Sequence, residues 1–216
     1  MANHSYKING EGVRQGGRFA HMLSLDLGGG AELRGLEPWQ AEEFLAHIDG
    51  IRDYLQEHVA LPQKAKNLDG ARKLLQHYAD STAADGNRIW GIWVDGVLSG
   101  GVMLKHFDAA GGTAEIGVWL APEAQGRGVM TAAVRRTIDW AIGVRGLGRL
   151  EWLAVVGNER SIAVAKRVGM SFEGVKRSDF LLNGARRDSE VYSITAEDYF
   201  ASPRPAIRHD RRLTTR

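Results

Sequence analysis

The sequence predicts a mixed α/β fold of the α+β kind: a central mixed, largely antiparallel sheet with helices on both faces. Three observations carry this. Short runs of alternating or continuous apolar residues read as strands, and two pairs of them are joined by Asp95-Gly96 and Asn183-Gly184, the dipeptides that tight two-residue hairpins prefer. Between the strands lie segments with apolar residues at helical spacing. The order that results, β, α, α, β, β, β, α, β, α, β, β, is that of a mixed sheet with helices on its faces.

The elements follow in chain order. Residues 1–18 mix Gly, Asn, Gln and charge without apolar periodicity and are expected as a disordered lead-in, with order beginning near Phe19. Leu23, Leu25 and Leu27 alternate, then Gly28, Gly29 and Gly30 turn the chain before Leu33, which predicts two short strands. Pro38 suits a first helical turn, and Phe44, Leu45, Ile48, Ile51, Tyr54, Leu55 and Val59 predict one or two helices over 38–60. A further helix is expected from Asp69 to about Ala84.

RIWGIWV and VLSGGVMLKHF form the first hairpin, and TAEIGVWL, residues 113–120, is the next strand, ending at Ala121-Pro122. Met130, Val134, Ile138 and Ala141 mark an amphipathic helix from Arg127 to about Val144. After the strand RLEWLAVV comes a short helix that Asn158 can cap and Gly169 can close, burying Ile162, Ala165 and Val168. MSFEGVKRSDFLL and ARRDSEVYSI are the last hairpin. A single domain is placed at 19–200, followed by a basic disordered tail at 201–216.

Composition narrows the function. With 44% hydrophobic and 25% charged residues in a chain of 216, a globular domain with a sizeable core is expected. The absence of cysteine excludes disulfides, thiolate catalysis and Cys-based zinc sites, and the seven histidines show no HExxH-like pair, so no metal is expected. No apolar stretch approaches the roughly 18 residues of a membrane helix, and the start lacks a signal-peptide core, which points to a cytoplasmic protein without a membrane partner. The basic excess lies in the ends: residues 1–18 carry +2 and 201–216 carry +4, so a chain of net charge +2 leaves its body at −4. Such a body is a poor footprint for nucleic acid, and none is expected as a partner.

The segment richest in chemistry is the junction of strand 113–120 with the helix that follows, AlaPro-GluAlaGlnGlyArgGlyValMetThr. A helix N-terminus offers free N–H groups and partial positive charge, and Gly126 and Gly128 present no side chain in front of them, so the junction predicts an anion site. It lacks the lysine of the phosphate loop of nucleotide triphosphatases and the third glycine of the dinucleotide turn, where Thr131 stands instead.

Gln125-Gly-Arg-Gly128-Val-Met130 resembles the pyrophosphate motif Gln/Arg-x-x-Gly-x-Gly/Ala of the GNAT superfamily of N-acetyltransferases. Met130 followed by Thr131 is similar to the ribosomal-protein N-terminal acetyltransferases of the RimJ/RimL type. The likeness spans roughly residues 22–195 and includes AEIGVWL, Asn158-x-x-Ser161, Gly169-Met170, Phe172-Glu173-Gly174 and Asn183-Gly184. It implies a sheet splayed at the cofactor site and an acetyl-CoA or other short acyl-CoA co-substrate. The backbone of Val118, Trp119 and Leu120 would pair with the pantetheine arm. Amides of Gly126, Arg127, Gly128, Val129, Met130 and Thr131, in the turn that Gln125 opens, would hold the pyrophosphate, and Asn158 would bond the pantetheine chain.

The resemblance also distributes the chemistry. A backbone N–H at Val118 or Trp119 would receive the oxyanion. The tyrosine that many members place seven residues after the asparagine is here Ala165, so Ser161 would protonate the leaving thiolate, and Glu115 is the candidate base. RimL-type enzymes carry a glutamate a few residues before the last turn; the matching position is Phe180, and strand alternation would send adjacent Asp179 to the other face. The acceptor implied is a primary amine, foremost a protein or peptide N-terminus, with a small amine such as an antibiotic or polyamine as the alternative. Its groove is expected between the helices of 38–84 and the last hairpin. An idle acyl-CoA-binding sensor domain is a further alternative, and a homodimer is left open.

Overall fold

The computed structural model describes residues 24–201. The lead-in, the start of order near Phe19 and all but the first residue of the basic tail lie outside the described residues. Eight strands form one sheet in the order β1-β2-β3-β4-β5-β6-β8-β7. They are β1 Ser24–Gly28, β2 Ala31–Gly35, β3 Arg88–Val94, β4 Val97–Asp108, β5 Thr113–Leu120, β6 Arg149–Val155, β7 Ser171–Leu182 and β8 Ala185–Thr195. All neighbours are antiparallel except β5 and β6. That parallel pair needs a crossover, and residues 121–148 supply it.

Both dipeptide turns form as expected. Asp95 and Gly96 take φ of 51° and 82°, and Asn183 and Gly184 take 51° and 77°, so both central residues are left-handed, the hand whose twist suits flanking strands.

Helices cover both faces. After a tight 3₁₀ turn at Pro38–Gln40 come α1 Ala41–Gly50, α2 Arg52–Leu55, α3 Leu61–Lys64 and α4 Leu68–Ala83 on one face. Phe44, Ile48, Leu75, Trp93 and Trp119 are the large members of their core. On the other face α5 Val129–Ile138 and α6 Glu159–Arg167 pack Val134, Ile138 and Ile162 against Leu150, Trp152 and Tyr192. The expected stripe Ile162, Ala165 and Val168 is buried.

Two boundaries differ from expectation. Helix α5 begins at Val129 rather than Arg127, because Gly126 and Gly128 have φ of 75° and 77° and cannot continue a right-handed turn. Its last part, Asp139–Val144, widens into a π-helical turn. The final helix, α7 Ala196–Ala201, was not foreseen, although Thr195-Ala-Glu-Asp198 is a capping-box pattern: Thr195 N donates to Asp198 Oδ2 at 3.0 Å and Asp198 N to Thr195 Oγ1 at 3.1 Å.

Candidate active site

The sheet splits between β5 and β6. Their parallel pairing runs only from Thr113↔Arg149 to Ile116↔Trp152, although β5 continues to Leu120 and β6 to Val155. A cleft of about 1330 Å³ opens from the divergence and is lined by both strands, both helix N-termini and the β7–β8 hairpin. Ala121 N donates to Ser99 O at 2.7 Å, in the same register that pairs Gly101 with Trp119. Antiparallel alternation therefore commits the Trp119 amide to β4 and turns those of Val118 and Leu120 toward the open edge. Of the two oxyanion candidates, Val118 N–H is the one aimed at the cleft.

The Trp119 side chain goes the other way. Its indole donates to His47 Nε2 at 3.1 Å and its ring meets Phe44 edge-on. Burial pulls the His47 imidazole down to about 4, against the charges of Glu123 and Glu43, so it stays a neutral acceptor.

The N-terminus of α5 opens on the same cleft. Gly128 caps it without a side chain, and the first closing bond is Ala132 N to Gly128 O at 3.0 Å, so the amides of Val129, Met130 and Thr131 precede the helix's own acceptors. A Cβ at Gly126 or Gly128 would meet nothing within 4 Å; the positive φ demands glycine, and the space in front is open. Arg135 and Arg167 line this end, Arg167 Nη1 donating to Thr131 Oγ1 at 3.3 Å. Unbonded amides, open space and two cations are a donor set for phosphates. The Arg127 side chain turns away to Gly29 O at 3.0 Å, leaving its amide in the turn.

Asn158 and Ser161 start α6. Asn158 Oδ1 accepts from Ser161 N at 3.2 Å, so this oxygen is occupied as a cap, and the amide NH₂ is the part left to bond a ligand. Ser161 Oγ accepts from the buried Trp152 indole N–H at 3.0 Å. With one lone pair engaged, the hydroxyl hydrogen is free to donate into the cleft, the polarity a proton donor needs. Trp152 went unread in the sequence, although a tryptophan inside a strand always raises the question of its N–H partner.

On the α1–α4 face, Glu115 is ion-paired with Lys105 Nζ and lies 3.7 Å from His106 Nε2. Burial and the nearby Glu115 charge push the Tyr78 hydroxyl up to about 12, so it stays protonated beside them. Asp179 corrects the alternation argument. Between Lys176↔Ser189 and Phe180↔Arg187, β7 carries two more residues than β8, and Ser178 takes φ of 51°. The bulge breaks the period of two, and Asp179 and Phe180 both line the cleft.

Two contacts hold the rim. Tyr54 Oη accepts from Gln125 Nε2 at 2.8 Å and from Arg160 Nη1 at 3.3 Å, bridging α2 to the glycine turn and to α6. At the hairpin tip Asn183 Nδ2 donates to Gln56 O at 2.7 Å and its Oδ1 accepts from Gln63 Nε2 at 3.0 Å. The expected groove between these helices and the last hairpin is thus one wall of the same cleft.

An open strand edge and a helix N-terminus without a side-chain cap, converging at a split in the sheet, define an acyl-CoA-dependent N-acyltransferase. The chain belongs to the GNAT acetyltransferase family: residues 32–171 match the Acetyltransferase (GNAT) domain. It is 32% identical to the putative ribosomal N-acetyltransferase YdaF of Bacillus subtilis (strain 168), over 77% of this chain and 92% of that one. It is 30% identical to the spermidine N(1)-acetyltransferase of Escherichia coli (strain K12), over 50% of this chain and 58% of that protein. Among solved structures it resembles the microcin C7 self-immunity acetyltransferase MccE in complex with acetyl-CoA and AMP. The TM-score is 0.74 at 26% identity, over 80% of this chain and 96% of the other.

Proposed function

We propose that the chain transfers an acetyl or other short acyl group from acyl-CoA to the N-terminal amine of a protein or peptide. The observation that carries the acyl-CoA half is the meeting of the free α5 amides with the open β5 edge in one cleft. The pyrophosphate would sit on the turn from Gln125 to Thr131, and the pantetheine would extend along Val118 and Leu120 toward the Asn158 amide. The long match to a putative ribosomal N-acetyltransferase supports the acceptor.

In this reading the amine nitrogen attacks the thioester carbon, and the Val118 N–H stabilises the oxygen as it gains charge. The carbon–sulfur bond then breaks, and the Ser161 hydroxyl, polarised by Trp152, relays a proton to the sulfur as it takes one from water in the cleft, so the serine ends the step neutral. Glu115 is ion-paired with Lys105 Nζ and faces His106 Nε2 at 3.7 Å. It serves by passing the acceptor's proton to His106, whose exposed imidazole can release it to water. A donor-ready Ser161 favours catalysis over the idle sensor.

A small amine is the second reading, favoured by the spermidine acetyltransferase match. A mass-spectrometric screen of cell proteins beside a small-amine panel, with acetyl-CoA and succinyl-CoA as donors, separates the two. No acylated product from any amine would sink the transferase reading.

A further inference from the structure

Two groups at the acceptor end of the cleft lack partners among the described residues. Ser189 of β8 is fully buried, lines the cleft, and its Oγ has no hydrogen-bond partner among the described residues. Tyr192 and Ile194 of the same strand belong to the α5–α6 core, so alternation turns Ser189 to the opposite face, which also carries Glu115. A buried hydroxyl with no partner is unfavourable unless a ligand completes it. The second group is Asp179. Of three carboxylates lining the cleft, Glu115 is paired with Lys105 and Glu151 with Arg149, whereas Asp179 has no ion pair or hydrogen bond among the described residues.

The β7 bulge makes this arrangement, and it is held in place. Ser178 N donates to Asp188 Oδ1 at 2.8 Å and Ser178 O accepts from Arg186 Nη1 at 3.1 Å, fixing the left-handed residue just before Asp179. Two side-chain hydrogen bonds to the Ser178 backbone, at the bulge itself, fit a preorganised recognition element better than a loose loop.

We propose that Asp179 and Ser189 form the acceptor subsite and that its ligand is the cationic α-amino end of a peptide. The ammonium docks on the Asp179 carboxylate, and the Ser189 hydroxyl donates to the carbonyl oxygen of the acceptor's first residue, two bonds from the carbon that bears the amine. A peptide end supplies both groups on one short framework. A polyamine has no carbonyl and carries further cations, for which the cleft offers no second unpaired carboxylate among the described residues. This inference rests on the transferase reading and names the atoms that select its acceptor.

The test uses the full chain with acetyl-CoA and two acceptors, a synthetic peptide with a free N-terminus and spermidine, following coenzyme A release. Asp179→Asn is expected to raise KM for both amines by about tenfold or more, since a charge-assisted contact is lost, while KM for acetyl-CoA holds. Ser189→Ala is expected to raise KM for the peptide by about five- to tenfold, to leave spermidine unchanged, and to leave the thermal midpoint unchanged or higher. Asp179→Glu should recover part of the loss. Unchanged peptide KM in both variants, or a Ser189→Ala effect equal for both amines with a lowered thermal midpoint, overturns the subsite while leaving the transferase reading intact. Wild-type protein that releases no coenzyme A with any amine overturns both.

Discussion

On the α5–α6 side of the cleft the groups presented are main-chain amides, arginines and the Thr131 and Ser161 hydroxyls; on the α1–α4 side they are carboxylates, lysines, imidazoles and a buried serine. The first half depends on where the backbone stops pairing, at the Ile116↔Trp152 end of the β5–β6 ladder and at the Gly128 cap. The second depends on which side chains a bulge and a hairpin bring together. A backbone site tolerates many sequences provided the glycines and the splay remain, so one fold can keep one co-substrate. A side-chain site changes with single substitutions, and there the proposed choice of acceptor would be made.

The largest effect should come from breaking the backbone half. Gly128→Glu places an anion at the amides meant for phosphate and forces a side chain into φ of 77°, so coenzyme A binding should fall below detection by calorimetry. Gly128→Ala adds the backbone strain without the charge and should keep part of the affinity. Equal loss in the two would mean that turn geometry, not access for the phosphates, governs binding.

Next comes the hydroxyl at the junction of the halves. Ser161→Ala should lower kcat by about 10²-fold, toward the bottom of the range for general acid catalysis because water substitutes in part, with coenzyme A affinity kept. Trp152→Phe removes the indole donor at 3.0 Å and should lower kcat by a smaller factor. A Ser161→Ala protein that folds normally and keeps full kcat would reduce Ser161 to a helix-start residue.

The α1–α4 half carries a pH signature through His47. Its pKa in the folded chain, about 4, lies below the ordinary 6.5, so between these values the unfolded chain binds a proton that the folded one refuses. Stability is therefore full above about pH 6.5 and falls as pH drops toward 4, by a loss of about 3 kcal/mol. Thermal midpoints of wild type and His47→Gln across that window test this; parallel slopes would refute it. Glu173 is held at about 2 by hydrogen bonds from Arg149 and Ser193, and its contribution disappears only below the usual carboxylate range, so the two windows separate.

The smallest effect concerns the rim. Asn183→Asp keeps a residue that accepts φ of 51° and removes the Nδ2 donor to Gln56 O. Loosening the hairpin tip by one hydrogen bond, about 1 kcal/mol, should raise acceptor KM a few-fold and leave acetyl-CoA KM alone. A change in acetyl-CoA KM instead would show that the hairpin and the glycine turn are not independent walls.

The sequence by itself determined the succession of strands and helices along the chain, both left-handed hairpin turns and the glycine turn that opens α5, because each rests on local chemistry. Asp-Gly and Asn-Gly select a turn wherever they stand between strands, and glycines opening an amphipathic helix leave amides exposed whatever packs nearby. The capping box of α7 was equally local and equally available at Thr195-Ala-Glu-Asp198. Only the tertiary structure decided that Val118 rather than Trp119 presents its amide, because that depends on the register with β4. It alone brought Trp152 to Ser161 from the neighbouring strand, paired Glu115 with Lys105 across two strands, and turned Asp179 into the cleft through a bulge. The reason is physical: a strand's period of two says which residues share a face only while the ladder is regular, and no residue pattern along β7 reveals where its partner β8 forces it to slip.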